Sequence, residues 1–194
     1  MMVDIQKDTL VAKEEAQEFQ KLSAQFDPVL LQKVTWQLTQ EARLLDMQAY
    51  RTWLENCVAQ DIQYQVISRE LRSTNERRYQ LNDAVNIFNE NYAQLKVRVE
   101  HQLDPQNWAG SPRISFTRFV SNIMAANDSE SEGMVDVRSS LILHRARRGS
   151  QVDVFYASRQ DKWRRDQTGR HQLVRRVVVY PERVLQTHNL MVFL

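Results

Sequence analysis

The 194-residue chain is poor in four residue types, and each scarcity removes a class of function. A single cysteine, Cys57, permits no internal disulfide and no thiolate metal site, so a reducing, cytoplasmic compartment is expected. The four histidines, His101, His144, His171 and His188, stand far apart, leaving no H-E-x-x-H pair and none of the Cys/His pairs that ligate a Rieske cluster. The four glycines, at 110, 133, 149 and 169, build no phosphate loop, no dinucleotide fingerprint and no nucleophile elbow. Four prolines are too few for a linker-rich chain. No apolar run is long enough to span a bilayer, and Asp4, Lys7, Asp8, Glu14 and Glu15 fit no signal peptide. The expectation is a soluble chain with no catalytic, cofactor-binding or metal-ligating set of its own. It reads as one domain over 1–194, with an arm and helix to 26, a helical part with one short strand over 27–112, and an antiparallel meander over 113–194.

Charge divides at the same place. Residues 1–112 hold 12 Lys+Arg against 16 Asp+Glu, a net of −4, whereas residues 113–194 hold 14 against 8, a net of +6. In the first part, Asp27-Pro28 reads as an N-cap followed by proline at the first helical position, and Leu30, Val34, Leu38, Ala42 and Leu45 recur at helical spacing. Asp46 reads as a second N-cap, with Leu45 and Tyr50 as a hydrophobic staple and Met47, Tyr50, Leu54 and Cys57 as the stripe that follows. A weaker helix over 10–22 carries Val11, Phe19 and Leu22. Ile62, Tyr64 and Val66 alternate with polar residues and predict a short strand. Ala84, Phe88, Tyr92, Leu95, Val99 and Leu103 predict one helix that ends at Asp104-Pro105.

After Pro112 the apolar period changes from 3.6 to 2. Ile114, Phe116 and Val120 begin it, and Val135, Val137, Ser139, Leu141 and Leu143 face one way while Asp136, Arg138, Ser140, Ile142 and His144 face the other. Helices first and a strand meander later predict an α+β fold, with N-terminal helices packed on a mostly antiparallel sheet. Two-residue turns at Arg148-Gly149 and Gln167-Thr168 align Leu141, Tyr156 and Val179 in one row. The same register sets Arg138, Arg159 and Arg176 side by side on the other face. Like charges in a row need carboxylates, from the chain's own helices or from another chain, and these arginines are candidate interface residues. The register also sets His144 opposite Asp153, an acid/base pair for a stand-alone cavity enzyme or a plain surface ion pair. Nucleic acid is not expected, because the net charge is +2 and no aromatic-glycine RNA-binding motif is present. Trp36 and Trp53 fit helix faces, while Trp108 in its Pro-bounded loop is either a lid on the core or a contact anchor. The apolar end Leu190-Met191-Val192-Phe193-Leu194 is either a last strand or an element docked on a partner, which adds Phe193 and Leu194 to the interface candidates.

Long consecutive stretches carry a further signal: LLDMQAYRTWLE (44–55), YQVISRELRS (64–73), ERRYQLNDAVNIFNENYAQLKVRVEHQLDPQNW (76–108), LHRARRGSQVDVFYASRQDKW (143–163) and YPERVLQTHNLMVFL (180–194). From about residue 40 onward the chain resembles the small, or β, subunits of Rieske non-haem iron aromatic-ring-hydroxylating dioxygenases, in the naphthalene and nitroarene branch. It departs from that pattern over 1–35, 127–134 and 166–179. The resemblance implies a cone-shaped domain of the nuclear-transport-factor-two, cystatin-like type with a strongly curved sheet. It implies partnership with a catalytic α subunit and further β subunits in an α3β3 hexamer. In that family the α subunit carries the two-iron two-sulfur Rieske cluster and the mononuclear iron(II), and NADH supplies electrons through a reductase and a ferredoxin. The product is an arene cis-dihydrodiol, and the β subunit's implied role is structural.

Overall fold

The computed structural model of the protein describes residues 16–68 apart from 18 and 21, 85–106, 114–147 apart from 130, 152–166, 169–181, 190 and 192–194. Asp27 starts the first long helix, α1 (Pro28–Asp46), as its sequence predicts: its carboxylate accepts from the backbone N–H of Val29 and Leu30 at 2.9 and 3.2 Å. The buried stripe is Leu30, Val34, Leu38, Glu41 and Leu45, so a carboxylate takes the place expected of Ala42. Helix α2 (Tyr50–Cys57) is capped by Ala49 with no side-chain bond, not by Asp46. Asp46 serves another strand, because its carboxylate accepts from Arg118 N at 3.0 Å and Arg118 Nη1 at 2.6 Å. Trp53 is fully buried on α2, but Trp36 on α1 and Met47 beyond it are exposed.

Strand β1 (Val58–Ser68) is longer than predicted and buries Ile62, Tyr64 and Val66. The helix expected from Ala84 onward splits into strand β2 (Val85–Glu90) and helix α3 (Tyr92–Leu103). Apolar residues four apart satisfy both the helical and the strand period, so Phe88 and Tyr92 did not discriminate. The decisive signal is a capping box, in which Asn91 Oδ1 accepts from Gln94 N and Gln94 Oε1 accepts from Asn91 N. Four strands follow: β3 (Ser115–Asn127), β4 (Met134–Ala146), β5 (Val152–Arg165) and β6 (His171–Tyr180). The sheet order is β2-β1-β6-β5-β4-β3, with every pair antiparallel except β1 with β6. Helices cover one face, and the core between them joins buried residues from α1, α2, α3 and five strands, with β2 adding the half-buried Ile87 and Phe88. Burying each Leu, Val or Phe there contributes about 1.5–3 kcal/mol.

Both predicted hairpin registers are wrong by a small shift with a large effect. Ala146 pairs with Val152, so an odd number of residues lies between the strands and every β4–β5 pair moves by one. At the other hairpin, Asp166 N donates to Arg170 O at 2.7 Å around a three-residue loop closed by Gly169 at φ 84°, a conformation that glycine adopts without strain. A bulge between Lys162 and Trp163 then shifts β5–β6 again. A one-residue slip exchanges the faces of a strand relative to its neighbour. Leu141 therefore pairs with Ala157, Arg138 with Gln160, Ser139 with Arg159, and Asp161 with Arg176.

Candidate functional site

The corrected register dissolves the arginine row and brings a different constellation together. Arg159 and Arg176 face the helices, whereas Arg138 stays on the outer face beside Gln160. Arg176 is fully buried and is held by two carboxylates at once. Its Nε and Nη2 donate to Asp161 Oδ1 and Oδ2 at 2.9 and 2.7 Å, and its Nη1 and Nη2 donate to Glu41 Oε1 and Oε2 at 2.7 and 2.9 Å. Trp53 Nε1 donates to Glu41 Oε1 at 3.0 Å, and Trp163 Nε1 to Asp161 Oδ2 at 3.3 Å. Arg159 completes the charge balance, with Nη1 3.7 Å from Glu41 Oε2 and Nε donating to Ser139 Oγ at 3.1 Å. Acidic groups do meet the arginines, and they come from the chain's own α1 and β5.

Local sequence explains why these groups turn inward. Glu41 lies three residues after Leu38 and four before Leu45, on the apolar stripe of α1. Arg159 and Asp161 alternate with Phe155, Ala157 and Trp163 on the inward face of β5. Burial alone would raise the Glu41 pKa, but the neighbouring Arg176 and Arg159 charges and the bonds from Arg176 and Trp53 bring it down to about 2. Burial alone would also discharge Arg176; the fields of Asp161 and Glu41 reverse this and keep it protonated. The cluster is a charge-balanced clamp between α1, β5 and β6, with both carboxylates committed to Arg176.

The chain's last residues close over this clamp. They form neither a strand nor a protruding arm: Val192, Phe193 and Leu194 are buried in the chain's own core. The Phe193 ring lies 4.9 Å from Trp53 and 5.2 Å from Tyr50, with the Arg98 guanidinium 4.3 Å from its centre. Leu194 O accepts from Tyr64 Oη at 2.6 Å and from Arg176 Nη1 at 3.3 Å, while Phe193 O accepts from Arg118 Nη2 at 2.8 Å. The interface expected at Arg159, Arg176, Phe193 and Leu194 thus gives way to internal contacts, since each is at most 2% exposed. Trp108 lies outside the described residues.

The acid/base pair does not form. His144 is opposite Val154 and Thr117, and Asp153 accepts instead from Arg145 Nε and Nη2 at 2.9 and 2.7 Å. His171 lies 2.9 Å (Nδ1) from Gln37 Oε1, and burial with Arg165 and Lys33 nearby lowers its pKa. Burial pushes the Cys57 thiol up to about 12, with Glu41 adding to the shift. Among the described residues no three His, Cys, Asp or Glu side chains converge on a metal position. A Rieske cluster needs paired Cys and His, and a mononuclear iron needs two His with a carboxylate, so these donors fit neither group.

The outer sheet face is different in kind. Phe119, Ile142 and Tyr156 are direct cross-strand neighbours on β3, β4 and β5, and all three are exposed, as are Val152 and Val154 beside them. Sequence alternation placed Ile142 outward, but only the observed register shows that these side chains form one patch.

Comparison with known proteins agrees with this geometry. A sequence model described as the ring hydroxylating beta subunit matches residues 40–187. The chain is 65% identical over 194 residues, all of both chains, to the small oxygenase component of a naphthalene 1,2-dioxygenase system from Ralstonia sp.. It is equally similar, over the same full span, to the small oxygenase component of a 2,4-dinitrotoluene dioxygenase system from Burkholderia sp. (strain RASC). A chain of a solved naphthalene 1,2-dioxygenase with indole bound in its active site superposes with a TM-score of 0.91, at 60% identity and full coverage of both chains. An NTF2-like protein with a cystatin-like fold from Novosphingobium aromaticivorans shares the fold alone, at 11% identity and a TM-score of 0.51 over 92% of this chain and 94% of that one.

Proposed function

The chain belongs to the ring-hydroxylating dioxygenase β-subunit family, and from that premise we propose that it is the structural small subunit of a terminal oxygenase, contributing no catalytic group of its own. The observation that carries the reading is the full-length identity to small oxygenase components, joined to an interior whose ionisable groups are committed to one another. Its partner is the large subunit, with further copies of both chains in an α3β3 hexamer. The Rieske cluster and the mononuclear iron belong to that large subunit. NADH supplies electrons through a reductase and a ferredoxin, and the arene leaves as a cis-dihydrodiol. This chain holds a rigid platform, one domain over 1–194, against which the large subunit assembles, and Arg138 and Trp108 are the contact positions we retain from the sequence.

The test is the ownership of iron and activity. The chain is purified alone from iron-supplemented cells and, separately, with its large subunit. The expected result is iron, acid-labile sulfide and arene oxidation in the complex, with none of the three in this chain alone. Stoichiometric iron, or arene oxidation, in the isolated small chain would overturn the reading.

A further inference from the structure

A cleft of about 600 Å³ opens between the first turns of α1 and the tips of the β3–β4 and β5–β6 hairpins, a size that suits a small organic ligand. His171, the first residue of β6, lines it while only 8% exposed. Its ring is fixed from α1: Gln37 Nε2 donates to His171 O at 3.3 Å, which turns the amide oxygen toward His171 Nδ1 at 2.9 Å. An amide oxygen only accepts, so Nδ1 carries the proton of the neutral ring. Nε2 is then an acceptor with no hydrogen-bond partner among the described residues, on a ring that borders the cleft.

Two cations act on this ring. Arg165 is its direct cross-strand partner, and the Arg165 guanidinium lies over Gly169, where an added Cβ would stand 3.6 Å from Nη2. Lys33 is one helical turn before Gln37 on α1 and so shares its face. Neither side chain makes a hydrogen bond or ion pair among the described residues. Four carboxylates also border the cleft, Asp27, Asp128, Glu132 and Asp166. Asp27 accepts from the first N–H groups of α1, Asp128 from Lys162 at 2.6 Å and Asp166 from Arg170 N at 2.9 Å, whereas Glu132 is exposed on its turn. Burial, Arg165 and Lys33 together depress the His171 pKa, and of the carboxylates only Asp166 acts against them, as the smallest influence. The inner end of the cleft is therefore electropositive, although its lining as a whole is mixed. The wall beside it is apolar, with Leu30 and Val135 buried there and Val29 and Met134 further out. A ligand that suits both features carries one negative charge on an apolar body. A phosphate dianion would leave the apolar wall uncovered and meet the carboxylates with twice the charge.

We propose that this cleft binds a small organic carboxylate, its oxygens held by Lys33, Arg165 and His171 Nε2 and its apolar body set against Leu30 and Val135. Binding puts a negative charge beside the ring and favours the imidazolium, whose Nε2–H donates to the carboxylate, so the site takes up a proton with its ligand. The site goes beyond the subunit role and does not depend on it.

The probe is benzoate, titrated calorimetrically into the full chain at pH 5.5 and pH 7.5, with the ring C–H signals of the histidines followed by NMR. One benzoate per chain is expected, bound about tenfold more tightly at the lower pH, and His171 is expected to titrate at a higher pH with benzoate than without it. His101, His144 and His188 should not move. Lys33→Gln and Arg165→Gln, both at exposed positions, are each expected to weaken binding about tenfold at an unchanged melting midpoint, while Lys96→Gln on α3 changes nothing. Absence of binding, binding that ignores pH, or inorganic phosphate bound as tightly as benzoate overturns the proposal. So does full affinity in both Lys33→Gln and Arg165→Gln, which assigns benzoate to another place on the chain. None of these outcomes touches the subunit reading, which stands or falls on the iron and activity of the complex.

Discussion

Arg176 on β6 and Glu41 on α1, 135 residues apart in sequence, share two hydrogen bonds of 2.7 and 2.9 Å inside the core. With Asp161 and Arg159 they make the deepest tie between the helical layer and the sheet. Removing one member leaves an uncompensated buried charge, which costs about 3–5 kcal/mol. Arg176→Met is therefore expected to lose that much in urea denaturation. Replacing Glu41, Asp161, Arg159 and Arg176 together by apolar residues is expected to lose less than the single variant, because no buried charge is left alone. A fourfold variant less stable than Arg176→Met would contradict the clamp.

Acid should find the same tie. Glu41 titrates near 2 in the folded chain and at an ordinary 4.5 in the unfolded one. Between those values the unfolded state binds the proton and the folded state does not, so the stability Glu41 provides is complete above about pH 4.5 and is lost as pH falls toward 2. The amount is on the order of 3 kcal/mol. Denaturation measured from pH 6 to pH 2.5 should show a shallower acid loss in Glu41→Gln. Identical acid slopes would remove Glu41 from the account.

The end of the chain is expected to behave as core. Phe193 is fully buried between Tyr50, Trp53 and Arg98, and deleting such a ring costs about 3–5 kcal/mol. Phe193→Ala should lower the urea midpoint accordingly, whether or not the large subunit is present. A loss seen only in the complex would return this residue to a subunit interface.

Cys57 should be inert. With its pKa pushed up to about 12, little thiolate is present at pH 8, and native labelling by a disulfide reagent is expected to be about a hundredfold slower, or more, than labelling of the unfolded chain. Labelling at the unfolded rate would show that burial does not protect the thiol.

Elements with one strong local signal were legible in the sequence. Asp27-Pro28 gave the start of α1, alternation gave the inward face of β4, and the order of helices and strands gave the fold class. What failed was pairing. Two-residue turns put Arg159 and Arg176 on the outer face, but both hairpins turn half a residue later, and the Lys162/Trp163 bulge that completes the shift has no local sequence mark. Glu41 lies three residues after Leu38 and four before Leu45, a helical spacing that fits the buried stripe as well as Ala42 does, and the apolar pattern alone selects Ala42 because a carboxylate joins a core only when buried cations meet it. The exposed patch around Tyr156 depends on the same register and was hidden with it.

The central claim is that this chain serves assembly while its partner does the chemistry. The direct measurement is the mass, iron content and arene turnover of the large subunit, produced with and without this chain under the same conditions. The account predicts an iron-loaded, active complex containing equal amounts of both chains when they are made together, and an unstable or inactive large subunit when this one is withheld. A large subunit that reaches the same assembled mass, iron content and turnover without this chain would contradict it.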